Sequence, residues 1–261
     1  MISDKNVTTF TGLPSGAVLN ALVECYKKLR PLSSQEHMLA RERTVLTLMK
    51  LKHNISTAYL RHSFDSTITT CSSISAETVQ VLSEVLKSVV MLPSKEEIVE
   101  HLPKQFINVR VVLDCTEIAL GQCALRVYSH YKRGFTAKYM VAVTPAGMIA
   151  YISEGYGGRA SDKAILEQSG LIDALEPVSD AIMADRGFLI DKICAHYLID
   201  LIRPPFKKQK QQLSKGEALR TQTIASARVH VERGIQRMKT FLRSWQQKCH
   251  GTWLGNWTTS A

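Results

Sequence analysis

Three acidic residues occur where carboxylates could act together. Asp114 closes the apolar run VRVVLD, and Asp185 closes DAIMAD. Aspartate is a poor strand residue, and at the carboxyl end of a strand it lies on the rim where open α/β sheets bind ligands. If the two strands are neighbours, their carboxylates repel each other unless a cation lies between them. Oxygen ligands of this kind suit Mg²⁺ or Mn²⁺.

Glu232, in VHVERGIQRMK, is the candidate third ligand. The apolar positions around it recur at helical intervals, and Val229 and Ile235 place it beside the face that would pack on the sheet. Spacing alone leaves a second interpretation open. Arg228, four residues earlier, could form an ordinary helix ion pair with Glu232, worth about 0.2–0.5 kcal/mol.

Composition indicates a folded intracellular protein. With 261 residues and 45% hydrophobic residues, the chain can form one large or two small domains and is not globally disordered. No apolar run approaches the roughly 20 residues that span a bilayer, and the N-terminus lacks the features of a signal peptide. The six cysteines have no zinc-like spacing, so we expect reduced thiols.

The positive charge is concentrated near the C-terminus. Residues 203–248 contain 12 Lys/Arg and 2 Asp/Glu, which gives 12 − 2 = +10, the net charge of the whole chain. The remainder balances, with 33 − 12 = 21 basic and 23 − 2 = 21 acidic residues. This distribution predicts a surface that binds a polyanion, and a solvated basic surface is the alternative.

Periodicity divides the chain into a helical leader and an α/β region. Residues 1–103 show helical spacing, and we expect Ser75 to cap a helix that runs to about residue 90. Residues 104–248 alternate strand and helix patterns, including a hairpin around Pro-Ala-Gly and a strand within 196–205. For the helix over residues 15–30, the expected core positions are Val18, Leu22, Tyr26 and Leu29.

An ordered set of motifs resembles a known family. VVLDCTEI, YSHYKRGFTAKYMVAVTPAGMIAYIS, YGGRASDK, MADRGF, RPPF and ARVHVERGIQRMK follow one another between residues 109 and 242. Together they resemble the DDE endonuclease domain of PIF/Harbinger-type transposases and of nucleases derived from them. The resemblance is closest to the branch often fused to THAP zinc-finger domains.

The resemblance implies a fold and a catalytic triad. The triad falls on Asp114, Asp185 and Glu232, whose spacing 232 − 185 = 47 fits the family. The implied fold is an RNase H-like mixed sheet flanked by helices, in which the sheet carries two acids and a later helix the third. Asp162 of the SDK motif matches another acidic position, which we interpret as a secondary acid near the site. It also opens a helix, where a carboxylate suits the dipole.

The implied chemistry is cleavage of DNA with two divalent metal ions. Ions about 3.5–4 Å apart would activate an attacking water and stabilise the leaving 3′-oxygen. Such enzymes cut transposon ends and then join the freed 3′-hydroxyl to target DNA. The expected DNA contacts are Lys132, Lys138, Arg159, Arg186, Lys207, Lys208, Arg228 and Arg233.

Two segments depart from the family pattern. FTGLPSGAVLNAL and RTVLTLMKLKHNIS resemble a helix-turn-helix leader, but LRHSFDSTITTCSS replaces the turn glycine and recognition helix, so we regard this element as degenerate. Residues 249–261 form a divergent tail that looks truncated. The alternative function is therefore a catalytically inactive, domesticated or relic protein that binds DNA or a protein. A weaker alternative is an RNase H-like nuclease acting on RNA or on RNA–DNA hybrids.

The resemblance also sets expectations about partners and location. We expect DNA as substrate, a separate DNA-binding partner protein, a homo-oligomer, no membrane association, and a nuclear location in a eukaryotic host.

Overall fold

The computed structural model describes residues 3–33, 36–95, 97, 107–120, 128–204 and 215–246. These residues form two compact units, which divide between Val89 and Val90 and again between Lys239 and Thr240. The domain boundary expected near residue 103 and the tail 249–261 lie outside the described residues. No described helix is long and apolar enough to cross a bilayer.

The first unit is built from helices whose starts are marked by hydroxyl side chains. Ser3, Ser15, Ser56 and Thr67 each accept a backbone N–H in the first turn, which satisfies donors that the helix leaves unpaired. The helices are α1 (Asp4–Thr11), α2 (Gly16–Leu29), α3 (Ala40–His53), α4 (Thr57–Ser63) and α5 (Ile68–Lys87). The helix-turn-helix assignment within them stays a prediction.

Two details of this unit correct the sequence analysis. The core side of α2 is formed by Leu19, Val23 and Tyr26, whereas the expected Val18 and Leu29 are exposed. Ser75 does not cap a helix, because it is buried inside α5 and its hydroxyl donates to the Cys71 carbonyl at 2.7 Å. A serine tolerates a helix interior when it satisfies its hydroxyl in this way.

A network of two arginines and two glutamates ties α2, α3 and α5 together. Arg43, with 6% of its side chain exposed, ion-pairs with Glu36 and Glu77, and Arg30 pairs with the same two carboxylates. Because a buried guanidinium is costly without anionic partners, this network makes the helices mutually dependent.

The second unit contains a seven-stranded mixed sheet. Its central order is β2-β3-β1-β6-β7, and β4 and β5 also pair with β3. β1 runs antiparallel to β3 and parallel to β6, and β6 runs parallel to β7. The strands are β1 (Val109–Ala119), β2 (Tyr128–Ser129), β3 (Gly134–Val143), β4 (Ile149–Ile152), β5 (Tyr156–Gly157), β6 (Ala181–Ala184) and β7 (Asp200–Ile202).

Each face of the sheet packs against its own core. On one face Val111, Leu113 and Ile182 belong to the cluster that includes α6 (Asp162–Gln168) and α7 (Asp191–His196). On the other face the sheet packs against α8 (Lys215–Gln246), which contributes the buried residues Ile224, Ala227, Val231 and Ile235.

The strands differ from the sequence expectation in length. β1 does not end at Asp114 but continues to Ala119, paired throughout with β3. The strand expected within residues 196–205 is confined to β7, because α7 occupies the residues before it. The hairpin β3–β4 around Pro-Ala-Gly is confirmed.

Gly158 occupies a position that admits no side chain. A Cβ there would lie 2.0 Å from the Thr136 hydroxyl and 2.8 Å from Cβ of Ser129. The chain after β5 therefore lies directly against β3, and only glycine allows that approach.

We expect Gly158→Ala to lower the free energy of unfolding by about 1–3 kcal/mol, the usual cost of overpacking. Chemical denaturation would measure it. Gly187→Ala is the matched control, since Gly187 lies outside the helices and strands and no heavy atom beyond its chain neighbours lies within 4 Å of the added Cβ. Equal stability of the two variants would contradict the packing argument.

Candidate active site

Strand register brings Asp114 and Asp185 together. β1 and β6 are parallel neighbours, and their last paired residues are Leu113 and Ala184, each immediately before an aspartate. Neighbouring strands lie about 4.8 Å apart, so the two aspartates start from adjacent backbone positions.

Alternation along the strands decides which face carries the two carboxylates. Val112 and Met183, two residues before each aspartate, belong to the core under α8. Since side chains two apart on a strand share a face, Asp114 and Asp185 are directed to the α8 side. The rim position inferred from sequence therefore holds for β6, while on β1 it is a mid-strand position beside the end of β6.

Helix α8 brings Glu232 and Arg228 to the same place. Ala227 and Val231 are buried against the sheet, and Arg228 and Glu232 each follow one of them by one residue. Two side chains four apart lie one turn above each other on one side of a helix. Glu232 lies at the edge of the packed face, with 56% of its side chain exposed.

The turn of the β3–β4 hairpin fixes this part of α8. Gly147 has φ 89°, and a Cβ there would lie 3.1 Å from Nδ1 of His230. The close approach places the hairpin turn against α8 two residues before Glu232.

One guanidinium joins the acids. Nη1 of Arg228 lies 3.2 Å from Oδ1 of Asp185, and Nη2 lies 3.5 Å from Oε1 of Glu232. These separations exceed the roughly 2.7–2.9 Å of a good charge-assisted hydrogen bond. The helix ion pair considered in the sequence analysis therefore forms, but it is one half of a looser bridge between a strand end and a helix.

Asp114 is the buried acid beside this bridge. Burial raises the pKa of Asp114, the N–H of Cys115 at 2.8 Å and the charge of Arg228 oppose that rise, and Asp185 and Glu232 add to it. All three carboxylates and Arg228 thus act on one another electrostatically. With all three carboxylates ionised, these acids and Arg228 together carry a formal charge of −2.

Sequence reasoning missed the group that holds the turn after Asp185. Arg203, just after β7, donates to the Phe188 carbonyl at 2.6 Å and pairs with Asp191 at the start of α7. The backbone N–H of Arg186 donates to Oδ1 of Asp185 at 2.6 Å. Arg203 is the first residue of the RPPF motif, so the motif marked this position in the sequence. Its contacts with Phe188 and Asp191 are visible only in the tertiary structure.

Asp162 lies against the opposite face of the sheet. It forms an ion pair with Lys138 at 2.6 Å and raises the pKa of the Cys115 thiol, after burial as the larger cause. Lys138 also donates to the Ala160 carbonyl at 3.1 Å. The structure therefore joins Asp162 to Lys138 and Cys115 and not to the three other acids, and its role as a secondary acid stays a prediction.

The basic residues expected to contact DNA have different surroundings. Lys132, Arg159 and Arg233 are exposed, and Arg186 is half-buried. Lys138 and Arg228 are engaged in the ion pairs described above. Lys207 and Lys208 lie outside the described residues.

The donor set suits a hard divalent cation, although the acids are arranged around an arginine. Within the described part of the chain, no three His, Cys, Asp or Glu side chains are grouped closely enough to hold a metal ion. The carboxylate oxygens of Asp114, Asp185 and Glu232 are nevertheless the ligand type that Mg²⁺ and Mn²⁺ prefer. Their residual charge of −2 equals the charge such an ion would neutralise.

The raised pKa of Asp114 predicts a pH-dependent stability. The folded state binds this proton more tightly than the unfolded state, so stability falls as pH rises from about 4, the ordinary carboxyl range, through the raised pKa. In chelator-containing buffer, Asp114→Asn should be more stable than wild type at neutral pH, and the difference should shrink towards pH 4.

Urea denaturation at several pH values would measure this difference. The control for the loss of one negative charge is Asp173→Asn, at an exposed position in the short 3-10 helix Ile172–Ala174. If Asp114→Asn were less stable than wild type at neutral pH, the buried carboxylate would be supporting the fold and not straining it.

Comparison with known proteins identifies the family. Residues 113–251 match the DDE superfamily endonuclease domain, that is 251 − 112 = 139 of the 261 residues. No curated protein matches the chain in sequence. The mixed sheet flanked by helices is consistent with a DDE nuclease fold, and nucleases of this superfamily generally use divalent metals. The chain belongs to the DDE superfamily of endonucleases.

Proposed function

We propose that this protein is a divalent-metal-dependent DNA endonuclease of the transposase type, with Asp114, Asp185 and Glu232 as its catalytic carboxylates. The observation that carries the proposal is that Arg228 ion-pairs with both Asp185, at the end of β6, and Glu232 of α8, beside the neighbouring strand position that holds Asp114. A buried aspartate of raised pKa beside a half-exposed aspartate and glutamate is the kind of carboxylate cluster that functional sites contain.

Divalent ions, held by these three residues, would neutralise charge on a phosphodiester and stabilise the leaving oxygen. The chain's own groups supply the rest of the environment. Asp114 is fixed in the middle of a strand and cannot move away, while Asp185 and Glu232 are each about half exposed and face the side from which a nucleic acid would approach. The basic residues around them would hold phosphates by charge.

Arg228 would have a second use when a metal is bound. A guanidinium released from Asp185 and Glu232 remains within a side chain's length of the site and is suited to bidentate contact with a phosphate. The long separations in the present ion pairs favour such an exchange.

The same arginine also favours the alternative function. A guanidinium lying between two of three carboxylates is what a catalytically inactive relic would keep, because it stabilises the acids without metal. Whether divalent ions bind in place of Arg228 therefore separates a nuclease from a protein that only binds DNA.

Within the superfamily, the ordered motifs support the PIF/Harbinger branch, with its THAP-associated members as the nearest. From this assignment we infer strand transfer after cleavage, a nuclear location and action together with a separate DNA-binding protein or as a homo-oligomer. If the N-terminal helix-turn-helix is degenerate and does not recognise a DNA sequence, the separate DNA-binding protein would supply that recognition.

We expect the protein to nick supercoiled plasmid DNA in the presence of Mn²⁺ or Mg²⁺ and not in EDTA. Asp185→Asn should lower the rate at least about 100-fold, since it removes a ligand from the centre that stabilises the transition state. Gel electrophoresis would resolve nicked from supercoiled plasmid. Asp173→Asn should cut at the wild-type rate, and DNA binding without nicking in the wild type would favour the inactive alternative.

We expect Arg228→Met to bind Mn²⁺ roughly tenfold more tightly than wild type, a difference of about 1.4 kcal/mol, because a competing cation is removed from two of the ligands. Isothermal titration calorimetry would measure this without any substrate. Arg233→Met removes an exposed charge from the same helix and is the control. Weaker binding by Arg228→Met would mean that the guanidinium organises the carboxylates and does not compete.

A further inference from the structure

Beyond the end of β6, β1 and β3 continue as a paired ribbon, which β5 flanks at Ala137 and Lys138. β6 ends opposite Leu113, but β1 continues to Ala119 and remains paired with β3 over the added length. Six further residues of β1 correspond to about 20 Å of extended chain. β2 leads into β3 through residues 130–133, which form the tip of the ribbon beside the end of β1.

The tip carries one aromatic and two basic side chains in succession. Tyr131 is 83% exposed, and Lys132 and Arg133 are exposed beside it. The ammonium of Lys132 lies 4.8 Å from the centroid of the Tyr131 ring. The remaining face of the ring is available to another planar group.

The tip is held in shape from within. The Ser129 hydroxyl accepts the backbone N–H of Lys132 at 3.2 Å, and Tyr128 packs edge-on against both His130 and Phe135 with ring centroids 5.5 Å apart. A rigid base under an exposed aromatic lowers the entropic cost of using that ring for binding.

Arg133 breaks a local rule of chain conformation. Its φ is 50°, in the left-handed region that glycine adopts without strain. Val178 and Leu198 also have positive φ, so the strain alone marks no function, but at Arg133 it coincides with an exposed basic side chain beside Tyr131. The arginine thus keeps a positive charge at a position where the backbone favours none.

We propose that the ribbon tip, residues 130–133, is a nucleic-acid contact in which Tyr131 stacks on an unpaired base and Lys132 and Arg133 bind the flanking phosphates. An aromatic ring between basic side chains is the usual platform for a base in a single strand. The site rests on the proposed function for its substrate class, but no metal ion takes part in it.

The pairing of β1 with β3 sets the distance between the carboxylates and the ribbon tip, and therefore the position on a bound DNA strand that the tip would contact. Asp114 pairs with Val141, and seven residues of β3 separate Val141 from Gly134 at the tip. That length is roughly 23 Å, or about seven nucleotides of a strand with a 3.4 Å rise. A DNA end held at the carboxylates would therefore meet the tip less than one helical turn away, where strand ends open.

The test compares binding to a blunt duplex with binding to the same duplex carrying a single-stranded extension with 2-aminopurine. Both are measured without divalent metal, so that no strand is cut. Wild type should bind the extended duplex more tightly and quench the 2-aminopurine fluorescence by stacking. Tyr131→Ala should lose about 5- to 150-fold in affinity for the extension, the range for one lost stack, together with the quenching. Tyr131→Phe should retain both.

Tyr197→Ala is the matched control. Tyr197 is 40% exposed and precedes β7, whose first residue pairs with the first residue of β6, so it lies at the other end of the parallel strands from the carboxylates. Its removal should change neither the affinity nor the fluorescence. Replacing Lys132 by Ala should reduce the slope of log K against log salt by about 0.7–0.9, the value for one phosphate contact.

Arg133→Gly distinguishes a binding role from a structural one. The variant should unfold at a higher temperature, because the backbone strain is relieved, and should bind the extended duplex more weakly. A variant that binds as well as wild type would overturn the inference.

The remaining outcomes are also decisive. If wild type binds both duplexes and Tyr131→Ala binds them equally well, the tip is not a nucleic-acid contact, while the proposed nuclease function stands. If Tyr131→Ala changes the oligomeric state in sedimentation and leaves DNA binding intact, the tip is a protein contact instead. If wild type binds neither duplex, both proposals fail together.

Discussion

The constraint on which the rest of the second unit depends is that Arg228 of α8 bridges Asp185 and Glu232 beside the buried carboxylate of Asp114. Asp114 and Asp185 follow the last paired residues of two parallel strands. The hydrogen bonds of the sheet therefore hold their backbones next to each other. Glu232 arrives from α8 because the residues beside it pack on the sheet. Without a cation this arrangement would be opposed by like charges, and Arg228 supplies that cation from within the chain.

The sheet separates this strained cluster from a fully paired one on its other face. Asp162 forms an ion pair with Lys138 beside Cys115, and Glu117, the cross-strand partner of Lys138, accepts the Thr136 hydroxyl. On the α8 face a formal charge of −2 persists around Asp114, which is buried and therefore carries the largest penalty. Two acidic groups within one small domain thus differ in kind, since one is an internal ion pair and the other is an incomplete site. Only the second retains an electrostatic reason to bind something further.

Sequence reasoning predicted the partners of the site better than its geometry. The meeting of Asp114 and Asp185 followed from two buried-strand patterns, but the continuation of β1 through CTEIA could not be read, because that segment lacks a regular apolar alternation. The pairing of Arg228 with Glu232 is visible as a spacing of four, whereas its contact with Asp185 depends on how α8 is set on the sheet. In α2 both Val18 and Leu19 are apolar, so periodicity alone does not decide which face is buried. Packing against the neighbouring helices decides it.

The extra length of β1 changes what the sheet can do. A strand that ended at Asp114 would place the carboxylates on an open rim with nothing beside them. Because β1 and β3 stay paired as far as Ala119 and Thr136, one continuous element connects the acids to the exposed ring of Tyr131. A paired ribbon transmits position much better than a loop, so the distance between the two is set by residue count and not by chance conformations. β1 holds Asp114, the most deeply buried acid of the site. Its length therefore also sets the distance along a bound DNA strand between the carboxylates and Tyr131.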